Sequence, residues 1–278
     1  MKMPLDRIEN CFADLRAKNR AAFIPFVMGG DPDFDTSLEL LCKLPEAGAD
    51  LIELGMPFSD PMADGPAVQA AGQRALKNKQ TLAKTLSLVR GFREQNKSVP
   101  LILMGYFNPI HHYGVEKFLN EASAAGVDGL IVVDCPAEVD NELCIPAQKA
   151  GLAFIRLITP TTNEQRLKFL LKNASGFLYL VAISGVTGTK LADPEAVDAM
   201  VKTIKKHTSL PICAGFGITT DVQAAKLAKS ADGVVIASVL IDLFRQKTGS
   251  AGNFQQIMAD YLKLSQAFAV SIHSARET

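Results

Sequence analysis

The sequence has no excess of either charge: Lys and Arg together number 29, and Asp and Glu together number 29, in 278 residues. A balanced surface offers no electrostatic footprint for nucleic acid or for an anionic membrane. Long apolar runs are missing as well, since none approaches the roughly 18 residues needed to cross a bilayer. Cysteine is sparse. Cys11, Cys42, Cys135, Cys144 and Cys213 are odd in number, scattered and without a C-x-x-C pair. That pattern argues against a disulfide framework and a structural zinc site, and for reduced, buried, cytosolic thiols. Tryptophan is absent altogether. Residues 1–19 carry Asp6, Glu9 and Asp14, so neither a signal nor a transit peptide is expected at the start. The expectation is a soluble cytoplasmic protein without nucleic-acid or membrane partners.

What the chain does have is apolar material in short pieces. Hydrophobic residues make up 48% and charged residues 21%, enough for a sizeable core and too apolar for disorder. Leu5, Ile8, Phe12 and Leu15 recur at spacings of three and four, which predicts an N-terminal helix with one buried face. Eight apolar, β-branched runs follow, at 22–27, 51–54, 101–104, 130–133, 154–158, 177–183, 212–214 and 234–237. Stretches of helical period separate them, among them 37–47, 82–95, 115–125, 164–172, 195–207 and 222–229. Runs apolar on both faces suit parallel strands covered by helices. Three strand approaches even read alike: Ala-Gly-Ala-Asp at 47–50, Ala-Gly-Val-Asp-Gly at 125–129 and Ser-Ala-Asp-Gly at 230–233.

Eight βα units with no polar linker between them predict one domain over residues 1–278, a (β/α)8 TIM barrel whose N-terminal helix closes the barrel bottom. A doubly wound open sheet also alternates β and α and is the rival. No G-x-G-x-x-G follows the first strand, and the texture runs to eight strands without a break.

In such barrels the chemistry sits at the C-terminal strand ends. The second strand runs into Glu53-Leu54-Gly55-Met56-Pro57-Phe58-Ser59-Asp60-Pro61-Met62-Ala63-Asp64-Gly65-Pro66. Most of this is ordinary turn composition, but Glu53 is not. Alternation places Leu51, Glu53 and Gly55 on one strand face and Ile52 and Leu54 on the other. With the leucine and isoleucine against the helices, Glu53 points into the barrel. Burial there should raise its pKa, as suits a group that both takes and gives protons. The ends of the sixth, seventh and eighth strands carry Gly185-Val186-Thr187-Gly188, Gly215-Phe216-Gly217 and Ala237-Ser238. These small-residue turns read either as a backbone cradle for phosphate or as plain tight turns.

Other chemistries fit less well. No lysine points inward at a strand end, which argues against a Schiff-base aldolase. Lys190 lies in a Gly/Thr-rich segment with the texture of a mobile lid. His111-His112 follows Asn108-Pro109 and reads as a solvated loop rather than a ligand pair; no metal site is expected. Arg156, inside the fifth strand, is assigned only an ion pair on the helix-facing side.

The run at 53–66, together with Phe23-Ile24-Pro25-Phe26-Val27, Gly30-Asp31-Pro32, Met104-Gly105-Tyr106-Phe107-Asn108-Pro109-Ile110, Asp134-Cys135-Pro136, Gly185-Val186-Thr187-Gly188 and Gly215-Phe216-Gly217-Ile218, resembles the tryptophan synthase α-subunit family over essentially the whole chain. The resemblance implies a TIM barrel that cleaves indole-3-glycerol phosphate to indole and glyceraldehyde 3-phosphate. It carries the catalytic carboxylates onto Glu53 and Asp64, and an active-site tyrosine onto Tyr179. It puts phosphate binding on Gly188, Gly217 and Ser238, with Ala237 where the family often has glycine. Phe26, Ile131, Leu157 and Phe216 match the indole pocket. Apart from the resemblance, the Gly/Thr-rich texture of 185–192 predicts a loop that closes over substrate, with the Thr187 hydroxyl expected to hydrogen-bond Asp64. No cofactor is implied on this chain; pyridoxal phosphate is expected only on a partner β subunit, in an α2β2 heterotetramer that receives the indole. The missing tryptophan agrees with an enzyme that makes it. Rival readings are a sister phosphate-binding barrel, a stand-alone lyase and a non-catalytic barrel that activates a partner. Intact Glu53 and Asp64 speak against the last.

Overall fold

The computed structural model describes residues 4–181, 194–215, 217–247 and 254–277. Nine strands in these residues form one sheet: β1 (Ala22–Met28), β2 (Ile52–Gly55), β3 (Leu101–Gly105), β4 (Gly129–Val132), β5 (Ala153–Phe154), β6 (Arg156–Ile158), β7 (Leu178–Val181), β8 (Ile212–Gly215) and β9 (Gly233–Ile236). Every pairing is parallel, in the order β5-β4-β3-β2-β1-β9-β8-β7-β6. The two edges, β5 and β6, are separated in the chain by Ile155 alone. One passage of chain therefore closes the sheet on itself, which makes it a barrel rather than a doubly wound sheet. The expected eight strands are all present, and the ninth is the 154–158 run broken in two.

Alternation sorts the side chains as the pleat requires. Ile52, Leu54, Leu101 and Leu103 pack outward against Leu40, Leu86 and Phe92 of the covering helices. Leu51, Ile102, Ile131, Ile155, Tyr179, Cys213 and Val235 fill the barrel. The N-terminal helix Pro4–Ala17 brings Ile8, Phe12 and Leu15 into that same inner cluster, with the Phe12 ring 5.9 Å from Phe177. It plugs the bottom, and each side chain so buried contributes about 1.5–3 kcal/mol.

The three echoed approaches share a task. Asp50, Asp128 and Asp232 each stand just ahead of a strand and accept from a backbone N–H near the start of the neighbouring one: Phe23 at 2.8 Å, Leu101 at 2.7 Å and Ile212 at 2.8 Å. The N–H groups at a strand start need partners when buried. Each carboxylate also meets a basic side chain, Asp50 with His273 at 2.7 Å, Asp128 with Arg7 at 2.6 Å and Arg93 at 2.5 Å, and Asp232 with Lys205 at 2.5 Å.

One local expectation fails. His111 and His112 are exposed, but they lie in the helix Phe107–Tyr113 and not in a loop. Pro109 falls within the first turn of that helix, where no intrahelical N–H bond is lost, so Asn-Pro opens a helix here. Arg156 faces the helices as expected and pairs with Asp140.

Candidate active site

Glu53 on β2 stands in register between Phe26 of β1 and Ile102 of β3. It is 0% exposed, and neither carboxylate oxygen has a hydrogen-bond partner among the described residues. Burial without a partner pushes its pKa up to about 8. Tyr179, on β7, points into the same lumen. Burial holds its hydroxyl well above the usual phenol range, and the nearby Glu53 charge adds to that. An uncompensated carboxyl in an apolar barrel destabilises the fold, so its presence calls for a functional reason.

Two glycines make room for this arrangement. A side-chain carbon at Gly55 would stand 2.6 Å from Phe26 Cζ, and one at Gly215 would stand 2.2 Å from Tyr179 Oη. Both rings reach the lumen only because the neighbouring strand end lacks a Cβ.

Asp64 lies in the loop after β2, part-buried at the mouth. Burial raises its pKa to about 6, against a lowering contribution from a hydrogen bond with Tyr106. Tyr106 follows β3 directly. Its Oη accepts from Ala63 N–H at 3.0 Å, and its ring lies 5.4 Å from that of Phe58. Gln69 Nε2 donates to the Asp64 carbonyl at 2.9 Å. The helix that follows, Pro66–Lys77, is held to the end of β1 by Arg74, whose Nε and Nη2 each meet buried Asp31 at 2.7 Å. The loop is thus tied at both ends. Tyr106 escaped the sequence reading as a site residue, although its place immediately after a strand was the available signal.

The remaining positions divide into three groups. Phe26, Ile131 and Tyr179 are buried and Leu157 is half-buried; Ile131, Tyr179 and Leu157 belong to the inner cluster. Gly217 is exposed with φ of 69° just after β8, and Ala237 and Ser238 follow β9, with Ser238 opening the helix Ser238–Lys247. These two neighbouring strand ends offer backbone N–H groups and a helix N-terminus on one side of the mouth. Thr187, Gly188 and Phe216 lie outside the described residues, as does Lys190. Among the described residues no group of three or more His, Cys, Asp and Glu is placed to hold a metal ion, and no helix is long and apolar enough to cross a membrane. All five cysteines are free.

Comparison with known proteins agrees with this fold. The family model for the tryptophan synthase alpha chain matches residues 12–271. The tryptophan synthase subunit alpha of Legionella pneumophila strain Paris is 35% identical, over 96% of this chain and 98% of that one, with a TM-score of 0.87. The alpha chain from Legionella pneumophila subspecies pneumophila is 34% identical over 96% and 97%, with a TM-score of 0.86. An aminoacrylate-bound tryptophan synthase from Mycobacterium tuberculosis is 29% identical over 96% and 99%, with a TM-score of 0.82. A lone buried carboxyl in the lumen, a second one on an anchored loop at the mouth and a match over nearly the full length lead to one assignment: this chain belongs to the tryptophan synthase alpha chain family.

Proposed function

We propose that Glu53 and Asp64 divide the chemistry of the family's lyase half-reaction, the cleavage of indole-3-glycerol phosphate to indole and glyceraldehyde 3-phosphate. The observation that carries this reading is Glu53 itself, fully buried and without a hydrogen-bond partner. With its pKa near 8, it stands protonated in the empty site at neutral pH. It gives that proton to indole C3, which makes the ring an electron sink with positive charge at the ring nitrogen. Asp64, ionised above about pH 6, accepts from the ring N–H and stabilises the charge as it develops. The carboxylate left at Glu53 then takes the hydroxyl proton of the adjacent glycerol carbon. The carbon–carbon electrons return to the ring and the hydroxyl carbon becomes the aldehyde. The hydroxyl proton replaces the one given to C3, so the enzyme ends as it began.

Phe26, Ile131, Leu157, Tyr179 and Phe216 enclose the indole in this reading. Gly188, Gly217, Ala237 and Ser238 hold the phosphate, which anchors the substrate remote from the reacting bond and fixes its geometry. No step requires a metal or organic cofactor on this chain. The partner is a β subunit carrying pyridoxal phosphate, in an α2β2 heterotetramer with the barrel mouth turned toward it, and the setting is the cytoplasm. Spectroscopic detection of indole released from indole-3-glycerol phosphate, by the purified chain alone and with a β subunit added, tests the reading. Release in neither condition would overturn it.

A further inference from the structure

The barrel wall has a seam. The β4–β5 ladder ends at Leu130 opposite Phe154, with one more bond from Ile155 N–H to Leu130 O at 3.0 Å. Beyond that point no ladder joins β4 to β6, and β6 is held by β7. A cavity of 340 Å³ runs along this gap, lined in part by Val133, Cys135, Leu157 and Thr159. Ile131 on the β4 side is held in register by Met104 of β3, and Leu157 on the β6 side by Tyr179 of β7. Both belong to the inner cluster, yet no main-chain bond fixes the distance between their strands at this height.

Arg156 spans the gap from the outside. Its Nη1 donates to the Cys135 carbonyl at 3.1 Å and its Nη2 pairs with Asp140, both on the connection that leaves β4. Asn173 Nδ2 donates to the other Asp140 oxygen at 2.8 Å. The guanidinium lies 4.6 Å from the Phe154 ring centroid, so it is held from below as well. The side chain is 4% exposed, and its Nε is buried without a partner. A buried ion pair with an unsatisfied donor is a poor source of stability, and an apolar residue there would do as well or better. What the planar fork supplies is a fixed span between two acceptors.

We propose that Arg156 is a positioning residue: it splices β6 to the β4 connection where the ladder lapses, and so sets the width of the indole side of the pocket between Ile131 and Leu157. The inference rests on the lyase reading above and extends it. The phosphate side lies at the ends of β8 and β9, away from the seam, so the two halves of the substrate should respond differently.

The test runs the reaction in reverse, from indole and glyceraldehyde 3-phosphate, on the full chain and its variants. Arg156→Met should raise KM for indole about tenfold, because a displacement of the wall on the order of 1 Å weakens apolar contact and alignment. KM for glyceraldehyde 3-phosphate should stay within about twofold, and Arg156→Lys, a single point charge, should fall between parent and Met. General loss of structure lowers the active fraction and moves neither KM. If Arg156→Met does not fold, Asp140→Asn is read instead, with a smaller rise confined to indole. An unchanged KM for indole, or a parallel rise in both constants, overturns the proposal. An inactive parent enzyme would instead overturn the lyase reading beneath it.

Discussion

Removing one hydroxyl, in Tyr106→Phe, should move a single limb of the pH–rate profile. In the proposed mechanism Asp64 works as a carboxylate, so activity should rise with pH through its pKa of about 6. Glu53 starts as the acid in that mechanism, so activity should fall as pH rises through its pKa of about 8. The parent profile is therefore a bell between those values. Tyr106 lowers the Asp64 pKa by hydrogen bonding to its charged form, and its Oη also accepts from Ala63 N–H at 3.0 Å. A hydrogen bond to a charged group contributes about 1.5–3 kcal/mol, and the lower end applies at a part-exposed mouth. At about 1.4 kcal/mol per pH unit, losing it should carry the acid limb up by about one unit. The alkaline limb, set by a Glu53 that Tyr106 does not perturb, should stay in place. Rates of indole release between pH 5 and 9 would show the variant losing about fivefold near pH 6, approaching tenfold near pH 5, and changing little near pH 8. An acid limb that does not move, or two limbs that move together, would refute the reasoning.

Three further outcomes follow from the same structure. Glu53 has a folded-state pKa raised to about 8 from 4.5, so the native state holds its proton where the unfolded chain releases it. Parent stability should fall relative to Glu53→Gln as pH rises from about 5 to 8, by up to about 4 kcal/mol; denaturation curves that stay parallel across this range would contradict it. Phe12→Ala should cost about 3–5 kcal/mol by opening the barrel plug, seen as a lower melting temperature with unchanged kcat at a temperature where both proteins are folded. Ser238→Asp places a negative charge at the start of its helix and should weaken glycerol phosphate binding at least roughly tenfold by calorimetry, while an unchanged affinity would put the phosphate elsewhere.

The barrel was legible because its strands are apolar on both faces, a pattern that parallel strands under helices require and that needs no knowledge of distant contacts. Glu53 stood out for the same reason, as the one charged residue on the inward register of β2. Features that depend on how separate segments meet were not legible. The break at Ile155 carries no glycine or proline, and Arg156 beside it read only as a charge on the outer face, so the fifth strand read as one. Tyr106 is an ordinary aromatic until the loop from β2 folds across β3 and brings Ala63 to its hydroxyl. Arg156 was placed on the correct face, but its acceptors lie 16 and 21 residues away in a connection whose path no periodicity specifies. The three aspartate echoes were visible as a repeat. Their task appeared only once each carboxylate was seen against the neighbouring strand.

The most direct test of the account is turnover by Glu53→Gln, a near-isosteric change that keeps the side chain's shape and removes its capacity to exchange a proton. Indole release from indole-3-glycerol phosphate should fall at least roughly a hundredfold, while glycerol phosphate should bind as tightly as to the parent, because the anchor proposed for it is at the β8 and β9 ends. Turnover near the parent rate would contradict the assignment of Glu53 as the group that moves the proton.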